Sequence, residues 1–364
     1  MKNLKKYLRK SMYFKMLIAV TCIGISFSSC KNENTSNQES EKTLQAAETT
    51  STENNRVEIN QIQNFSPSDL PKNLLFGEGQ GLSKVIQYSY ENHQGAWSPE
   101  TLVLRNQEDF KNYIKDNRGQ SSCWYVGDSY NPAALLPQWA IIEITKPISI
   151  NYIGVLSSEY YSSDSYSDRH VKDSEIWVSS TDKNEGSFKK VLPITLHKGK
   201  FYEVFRIEPQ ENVKYIKYQV RSNYGHASEA AIAPLVAFYD ETPSKTTQEK
   251  LAGGKADFYS IFFGLDSDVV RGESNPVLTQ IKEYLVANPT KNIEILVHND
   301  KLEDEKANQQ LTQKRADALK TKLKELGIDE KRITAKGMSA TNPVASNENE
   351  YDRSKNRRVE IILK

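Results

Sequence analysis

Between residues 138 and 240 the chain carries six short runs in which β-branched and aromatic residues partly alternate with polar ones. They are QWAIIEI (138–144), INYIGVLSS (150–158), SEIWVSS (174–180), YEVFRIE (202–208), VKYIKYQV (213–220) and IAPLVAFYD (232–240). None repeats its apolar residues at the 3.6-residue spacing a helix needs, and loops rich in Asp, Asn, Gly and Ser join them. Many short strands without a helical period predict an antiparallel β-sandwich. One exception is 107–115, where Phe110, Tyr113 and Ile114 sit at helical spacing.

The rhythm changes after residue 255. DFYSIFFG (257–264) reads as a strand, and Asn275-Pro276 then opens a helix with Val277, Leu278, Ile281, Tyr284 and Leu285 on one face. Proline suits the first helical position, where its missing N–H has no partner to lose. IEILVHN (293–299) is nearly continuous in apolar residues, as a covered central strand should be. A long helix over 305–326 stops at Gly327, the expected glycine cap. RITAKGM and RRVEIIL are strands again. The order β-α-β-α-β-β predicts an α/β domain with helices packed on a small mixed sheet.

Two polar stretches divide the chain. Residues 30–72 contain Asn, Ser, Thr, Glu and Gln with scarcely any aliphatic side chain, too little apolar surface to offset ordering entropy. They predict a tether with an end-to-end distance of about 35 Å as flexible coil. Residues 242–254 read as a linker. The expected layout is therefore a leader over 1–29, the tether, a sandwich over 73–241 and the α/β domain over 255–364, each of the last two long enough to bury a core.

The leader has six basic residues and no acid in its first fifteen positions, then an apolar run from Met16 to Phe27 that is too short to cross a bilayer, then Ser28-Ser29-Cys30. Such a segment is a secretory signal. Its ending resembles the lipobox of bacterial lipoproteins, with Phe27 in place of the usual aliphatic residue; the alternative is an ordinary cleaved signal. The resemblance implies that Cys30 is lipidated and becomes the mature N-terminus, held on a membrane without a spanning helix. Lys31 is not the aspartate that retains many lipoproteins at the inner membrane, which favours the outer one. Lys31-Asn32-Glu33 is loosely similar to a surface-export tag, a weak signal.

Cys22 leaves with the leader, so Cys123 alone would remain free and no intramolecular disulfide or cysteine-based zinc site is expected. Loss of 1–29 leaves 42 basic residues against 47 acidic ones, a net charge of −5. That balance gives no global pull toward nucleic acid. Five scattered histidines, with no Ser/His/Asp arrangement or metal-ligand spacing, leave catalysis without an anchor, and neither enzyme activity, metal nor cofactor is expected.

The stretch His298-Asn299-Asp300, followed by Asn308, Leu311-Thr312 and Arg315-Ala316, resembles the signature of the OmpA-like peptidoglycan-binding domain. GMSATNPVASNENEYDRSKNRRVEI (337–361) is similar to that family's closing pattern of a glycine turn, a proline and Asn-Arg-Arg-Val-Glu. The resemblance spans 256–364. It implies that Asp300 and Arg315 clasp the free amino-acid end of diaminopimelate in peptidoglycan, with Asn308 and Leu311 in support. The chemistry fits: a planar guanidinium can take a carboxylate through two parallel bonds, and a carboxylate at the C-terminal end of a strand can accept from an ammonium. The alternative is that Arg315 merely extends past an apolar stripe while Asp300 caps the entry loop. Val297, Asn299 and Glu303 stand where the family has Gly, Thr and Gly. The additional carboxylate of Glu303 is expected to repel the ligand or reshape its pocket. Lys355, Arg357 and Arg358 form a second basic cluster, expected either to meet other wall carboxylates or to lie on a solvated strand edge.

The sandwich segments resemble, in order, the discoidin or coagulation-factor type C galactose-binding-like jelly roll. PQWAIIEITKPISINYIGV, SEIWVSSTDKNEGSFKKV and VKYIKYQVRSNYGHASEAAIAPLVAFYD carry the likeness. It implies a ligand on loops at one end. Two loops offer rings and planar polar groups suited to a glycan: one has Tyr160, Tyr161, Tyr166, Arg169 and His170, and the other has Arg221, Asn223, Tyr224 and His226. The alternative is a sandwich that docks a protein partner in an outer-membrane assembly. Trp124, Trp139 and Trp177 are expected in the core. The functional expectation is a lipid-anchored protein on the periplasmic face of the outer membrane, bound to peptidoglycan and to a glycan or a protein complex.

Overall fold

The computed structural model describes residues 72–75, 82–89, 99–116, 123–126, 136–156, 167–198, 200, 202–226, 229–240 and 245–364. The leader, Cys30, nearly all of the polar tether, and Tyr160, Tyr161 and Tyr166 lie outside the described residues.

The middle region is an antiparallel β-sandwich. Its strands are β1 (Ser83–Tyr88), β2 (Trp124–Val126), β3 (Gln138–Leu156), β4 (Asp173–Ser179), β5 (Lys189–Thr195), β6 (Tyr202–Val220), β7 (Ala230–Ile232) and β8 (Leu235–Phe238). The larger sheet runs β1-β3-β6-β4-β5 with β8 also paired to β3, and β2 pairs β7 in the smaller one. β3 and β6 each join two runs that look separate in the sequence. They pair with each other along most of their length, and register shifts between Glu143 and Tyr152 absorb the interruption around Pro147, which has no N–H to give the ladder.

Alternation along these strands decides what is buried. Ile142, Ile176, Ile216 and Tyr218 face inward and close a core with Trp124 and Ile232. Trp139 and Trp177 fall on the opposite parity. Both are half-buried on the outer face, with the Lys217 ammonium 5.4 and 6.0 Å from their ring centroids. Of the three tryptophans expected in the core, only Trp124 is there. Helix α1 (Gln107–Asp116) sends Phe110 into a second cluster with Tyr152, Tyr202, Val204 and Phe238.

The C-terminal region is an OmpA-like α/β domain. Helix α2 (Thr247–Ala252) precedes β9 (Lys255–Phe258), followed by α3 (Asn275–Ala287), β10 (Ile293–His298), α4 (Glu305–Glu325), β11 (Ile333–Ser339), α5 (Glu350–Asn356) and β12 (Arg358–Leu363). The sheet order is β11-β10-β12-β9, with β10 and β11 parallel and the other pairs antiparallel. Leu278, Ile281 and Leu285 of α3 and Ala316, Leu319 and Leu323 of α4 cover one face of the sheet. Gly327 has φ +95°, the left-handed conformation of a glycine cap.

DFYSIFFG is a strand only as far as Phe258, IAPLVAFYD divides between the end of β7 and β8, and two further stretches hold helices that the sequence reading does not give. The stretch read as a linker holds α2, begun by a capping box in which Thr246 and Glu249 satisfy each other's backbone N–H, and its Leu251 is fully buried in the C-terminal core. The Thr-x-x-Glu spacing ahead of a leucine was the available signal. The stretch between RITAKGM and RRVEIIL, to which the sequence reading assigns no element, holds α5, whose N-cap Asn349 accepts from the Asp352 N–H.

Helix α5 is also where the two folded regions meet. The Tyr351 ring packs 4.6 Å from that of Tyr152, centroid to centroid, in the second sandwich cluster. Arg206 of β6 lies between the rings of Tyr152 and Tyr259, 5.2 and 4.4 Å away. Glu208 accepts from the Tyr259 N–H and pairs with Lys250.

Candidate functional site

β10 ends at His298, and the chain leaves the sheet through Asn299 and Asp300. The Asn308 side chain, in the first turn of α4, donates to the Asp300 carbonyl at 2.9 Å and accepts from Asn299 Nδ2 at 2.9 Å. Asp304 caps the helix by accepting from the Ala307 N–H. These bonds fix the loop against the helix. Asn308, Leu311 and Arg315 then follow at spacings of three and four, one stripe of α4.

Asp300, Leu311 and Arg315 line a single cavity of about 260 Å³. Arg315 is held along one edge: Nε donates to the Ser267 carbonyl at 2.8 Å and Nη2 to the Gly264 carbonyl at 3.2 Å, with the guanidinium over Phe263. Burial draws its pKa down, and Asp266, Asp268 and Asp300 counter this. Arginine's high intrinsic basicity keeps it cationic. Among the described residues no acceptor meets its two Nη1–H groups. Asp300 is 6% exposed, and its Oδ2 accepts from Arg357 Nη1 at 2.7 Å. No described residue donates to its Oδ1.

Arg357 also donates to the Val204 carbonyl of the sandwich and to Glu350 Oε1, both at 2.6 Å. Burial would raise the Glu350 carboxyl, but Arg357, Lys200 and Arg353 overcome it and hold the group at about 2. Burial and the nearby Arg358 push His298 down to about 4, so its imidazole adds no charge at neutral pH. The cavity can thus offer one oriented carboxylate oxygen and one guanidinium edge to a ligand carrying both charges.

Glu303 is exposed and does not line the cavity, so its carboxylate is not placed to repel a ligand there. The second basic cluster is committed internally and is not an edge. Lys355 pairs with Asp352, Arg358 with Asp257, and β12 lies inside the sheet.

The sandwich loops differ from the sequence expectation in what their polar groups do. Arg169 pairs with Glu229 at 2.5 Å, and His226 lies 3.5 Å from the same carboxylate. Arg221 pairs with Glu175 at 2.8 Å. Asn223 donates to the carbonyls of His226 and Glu229, Tyr224 donates to the Leu196 carbonyl, and His170 is buried. Among the described residues, these polar side chains are paired with protein groups.

What sequence reasoning missed is the far wall of the cavity. It comes from the sandwich: Thr195, His197, Lys200, Glu203, Phe205 and Arg206 line the same space. Nothing in their local sequence marks them, because they reach the site only through the docking of α5.

Residues 262–357 match the model of the OmpA family, and residues 105–238 match the Sad1 / UNC-like C-terminal model. The chain is 36% identical over 101 residues to outer membrane porin F of Pseudomonas fluorescens, 28% of this chain and 31% of the porin. It is 33% identical over 103 residues to outer-membrane lipoprotein YfiB of Pseudomonas aeruginosa, 28% of this chain and 61% of that protein. The chain therefore spans less than two thirds of either relative. Among solved structures, the family 32 carbohydrate-binding module from Streptococcus pneumoniae EndoD aligns with a TM-score of 0.35 and 14% identity, covering 46% of this chain and 100% of the module.

Proposed function

We propose that the chain is an outer-membrane lipoprotein, lipidated at Cys30, whose OmpA-like domain grips peptidoglycan non-covalently from the periplasmic face. The observation that carries this reading is one cavity holding opposite charges with their free edges available: Asp300 Oδ1 and Arg315 Nη1. Asp300 accepts from the ammonium of the wall's diaminopimelate end and Arg315 takes its carboxylate, a charge-assisted pairing in a partly desolvated site. Arg357 orients the Asp300 carboxylate through the other oxygen, Asn308 holds the loop, and Leu311 supplies apolar wall. The outer-membrane relatives support the location.

Retention of the full-length protein on purified peptidoglycan tests this. Asp300→Ala and Arg315→Ala are each expected to lower the retained fraction about tenfold or more; retention equal to wild type in both variants refutes the site. In the same cells Cys30→Ser should move the protein from the membrane fraction to the soluble one, and a variant that stays with the membrane removes the lipid anchor from the reading.

For the sandwich, the internal pairing of Arg169, Arg221, Asn223, Tyr224 and His226 favours docking of a protein partner over a glycan pocket. Donors already spent on protein acceptors must break those bonds to hold a sugar hydroxyl. A glycan array probed with the full-length protein is expected to show only peptidoglycan fragments; a signal from another glycan that Arg221→Ala and Tyr224→Phe both remove restores the sugar-binding assignment.

A further inference from the structure

The C-terminal domain does not enclose the Asp300–Arg315 cavity by itself. His197 and Lys200, between β5 and β6, line the other side, and His197 has a polar edge to spare. Its main-chain N–H donates to Glu203 Oε1 at 2.8 Å, and its Nδ1 lies 2.7 Å from Glu203 Oε2. Glu203 is buried at the start of β6 and so serves as a fixed post. Two bonds to one carboxylate set the imidazole plane, and no described residue partners Nε2. The His197 side chain is 45% exposed and lines the cavity.

Asp266 ties this residue to the other domain. It sits on the turn whose Gly264 and Ser267 carbonyls hold Arg315, it lines the cavity, and its charge acts on both His197 and Arg315. The imidazole, the guanidinium and the Asp300 carboxylate thus line one cavity, and the charge of Asp266 acts on both of the first two. Three charged groups face His197: Glu203 and Lys200 from the sandwich and Asp266 from the C-terminal domain. Glu203, through its hydrogen bond, is the largest influence and raises the histidine above its ordinary value, against burial and Lys200.

We infer that this is a two-domain site, in which His197, oriented by Glu203, donates through Nε2 to the same ligand carboxylate that Arg315 holds, while Asp300 takes the ammonium. The inference rests on the wall-binding reading above and extends it: the sandwich is part of the peptide-reading surface. Glu203 is a positioning residue. Proton occupancy of His197 then sets how well the carboxylate is held, so binding weakens as pH rises through the histidine's pKa.

The test is calorimetric titration of the full-length protein with a meso-diaminopimelate tripeptide, and with its analogue amidated at the free side-chain carboxylate, at pH 6 and pH 8. Wild type is expected to bind the free acid about tenfold more tightly at pH 6 than at pH 8. His197→Gln should bind about tenfold more weakly at pH 6 and show no difference between the two. Glu203→Gln should shift the midpoint of the pH profile downward, and the amide analogue should abolish the profile in wild type. If His197→Gln matches wild type at both pH values while Arg315→Lys and Asp300→Asn lose binding, the two-domain site is wrong and wall binding stands. If those last two variants also bind as wild type, the wall-binding reading fails and takes this inference with it.

Discussion

Glu350→Leu is expected to destabilise the folded protein by about 3–5 kcal/mol, read as a lower urea midpoint. The Glu350 side chain is 2% exposed, pairs with Arg357 at 2.6 Å, Arg353 at 2.9 Å and Lys200 at 3.5 Å, and accepts from the Val204 N–H. Removing it strands three cations around an apolar side chain and leaves a buried backbone donor without its acceptor. Because these partners come from both folded regions, their docking should loosen along with the fold. A loss under about 1 kcal/mol would mean that water reaches these cations and that the cluster is not buried in solution.

Acid should act on the same group. A carboxyl held at about 2 against an ordinary 4.5 ties about 3 kcal/mol of stability to its ionised form. Its folded pKa lies below the unfolded one, so the contribution is complete above about pH 4.5 and is lost as pH falls toward 2. The wild-type urea midpoint should drop between pH 6 and pH 3 by more than that of Glu350→Gln. Parallel declines would assign acid sensitivity to other carboxylates.

Gly337→Ala is expected to cost at least about 3 kcal/mol and to abolish retention on peptidoglycan. A Cβ there would meet Gln313 N at 2.2 Å, the Thr312 carbonyl carbon at 2.5 Å and Gln313 Cα at 2.6 Å, all backbone atoms of α4. Helix backbone cannot swing aside as a side chain can. β11 and α4 would have to separate, breaking the bonds from Gly337 N to Gln313 and from Gln309 to the Gly337 carbonyl. Displacing α4 moves Arg315. Gly154→Ala makes the useful contrast: its Cβ would meet side-chain atoms of Val236 and Tyr202, which can shift, so a smaller loss of about 1–2 kcal/mol is expected. Equal thermal shifts in the two variants would refute the distinction between backbone and side-chain crowding.

The C-terminal fold was legible because its elements have strong local signals. Asn275-Pro276 opens α3, Gly327 closes α4, and the apolar run in 293–297 sits at the centre of the sheet. Gly337 falls in the strand RITAKGM and also in the family-like glycine turn; it lies within β11, and its tight approach to the α4 backbone has no local signal. Helix α5 escapes because its residues, EYDRSKN, are polar, and Glu350 and Tyr351 pack against the other domain, which no local periodicity reports. Trp139 and Trp177 were misplaced because one residue of strand parity moves a side chain to the other face, and composition does not count parity.

The family resemblance in the sequence pairs Asp300 with Arg315, and chain proximity supports it, since a strand end, a short loop and about three turns of helix carry both residues within a single βα unit. Local geometry of that kind is set by hydrogen bonds over a few residues. Only the tertiary structure could add Arg357 on Asp300, Glu350 behind it and His197 across the cavity, because those groups are 57, 50 and 103 positions from Asp300 and meet only when α5 docks on the sandwich. Such contacts depend on shape and buried charge shared between two cores, information that no stretch of either one contains.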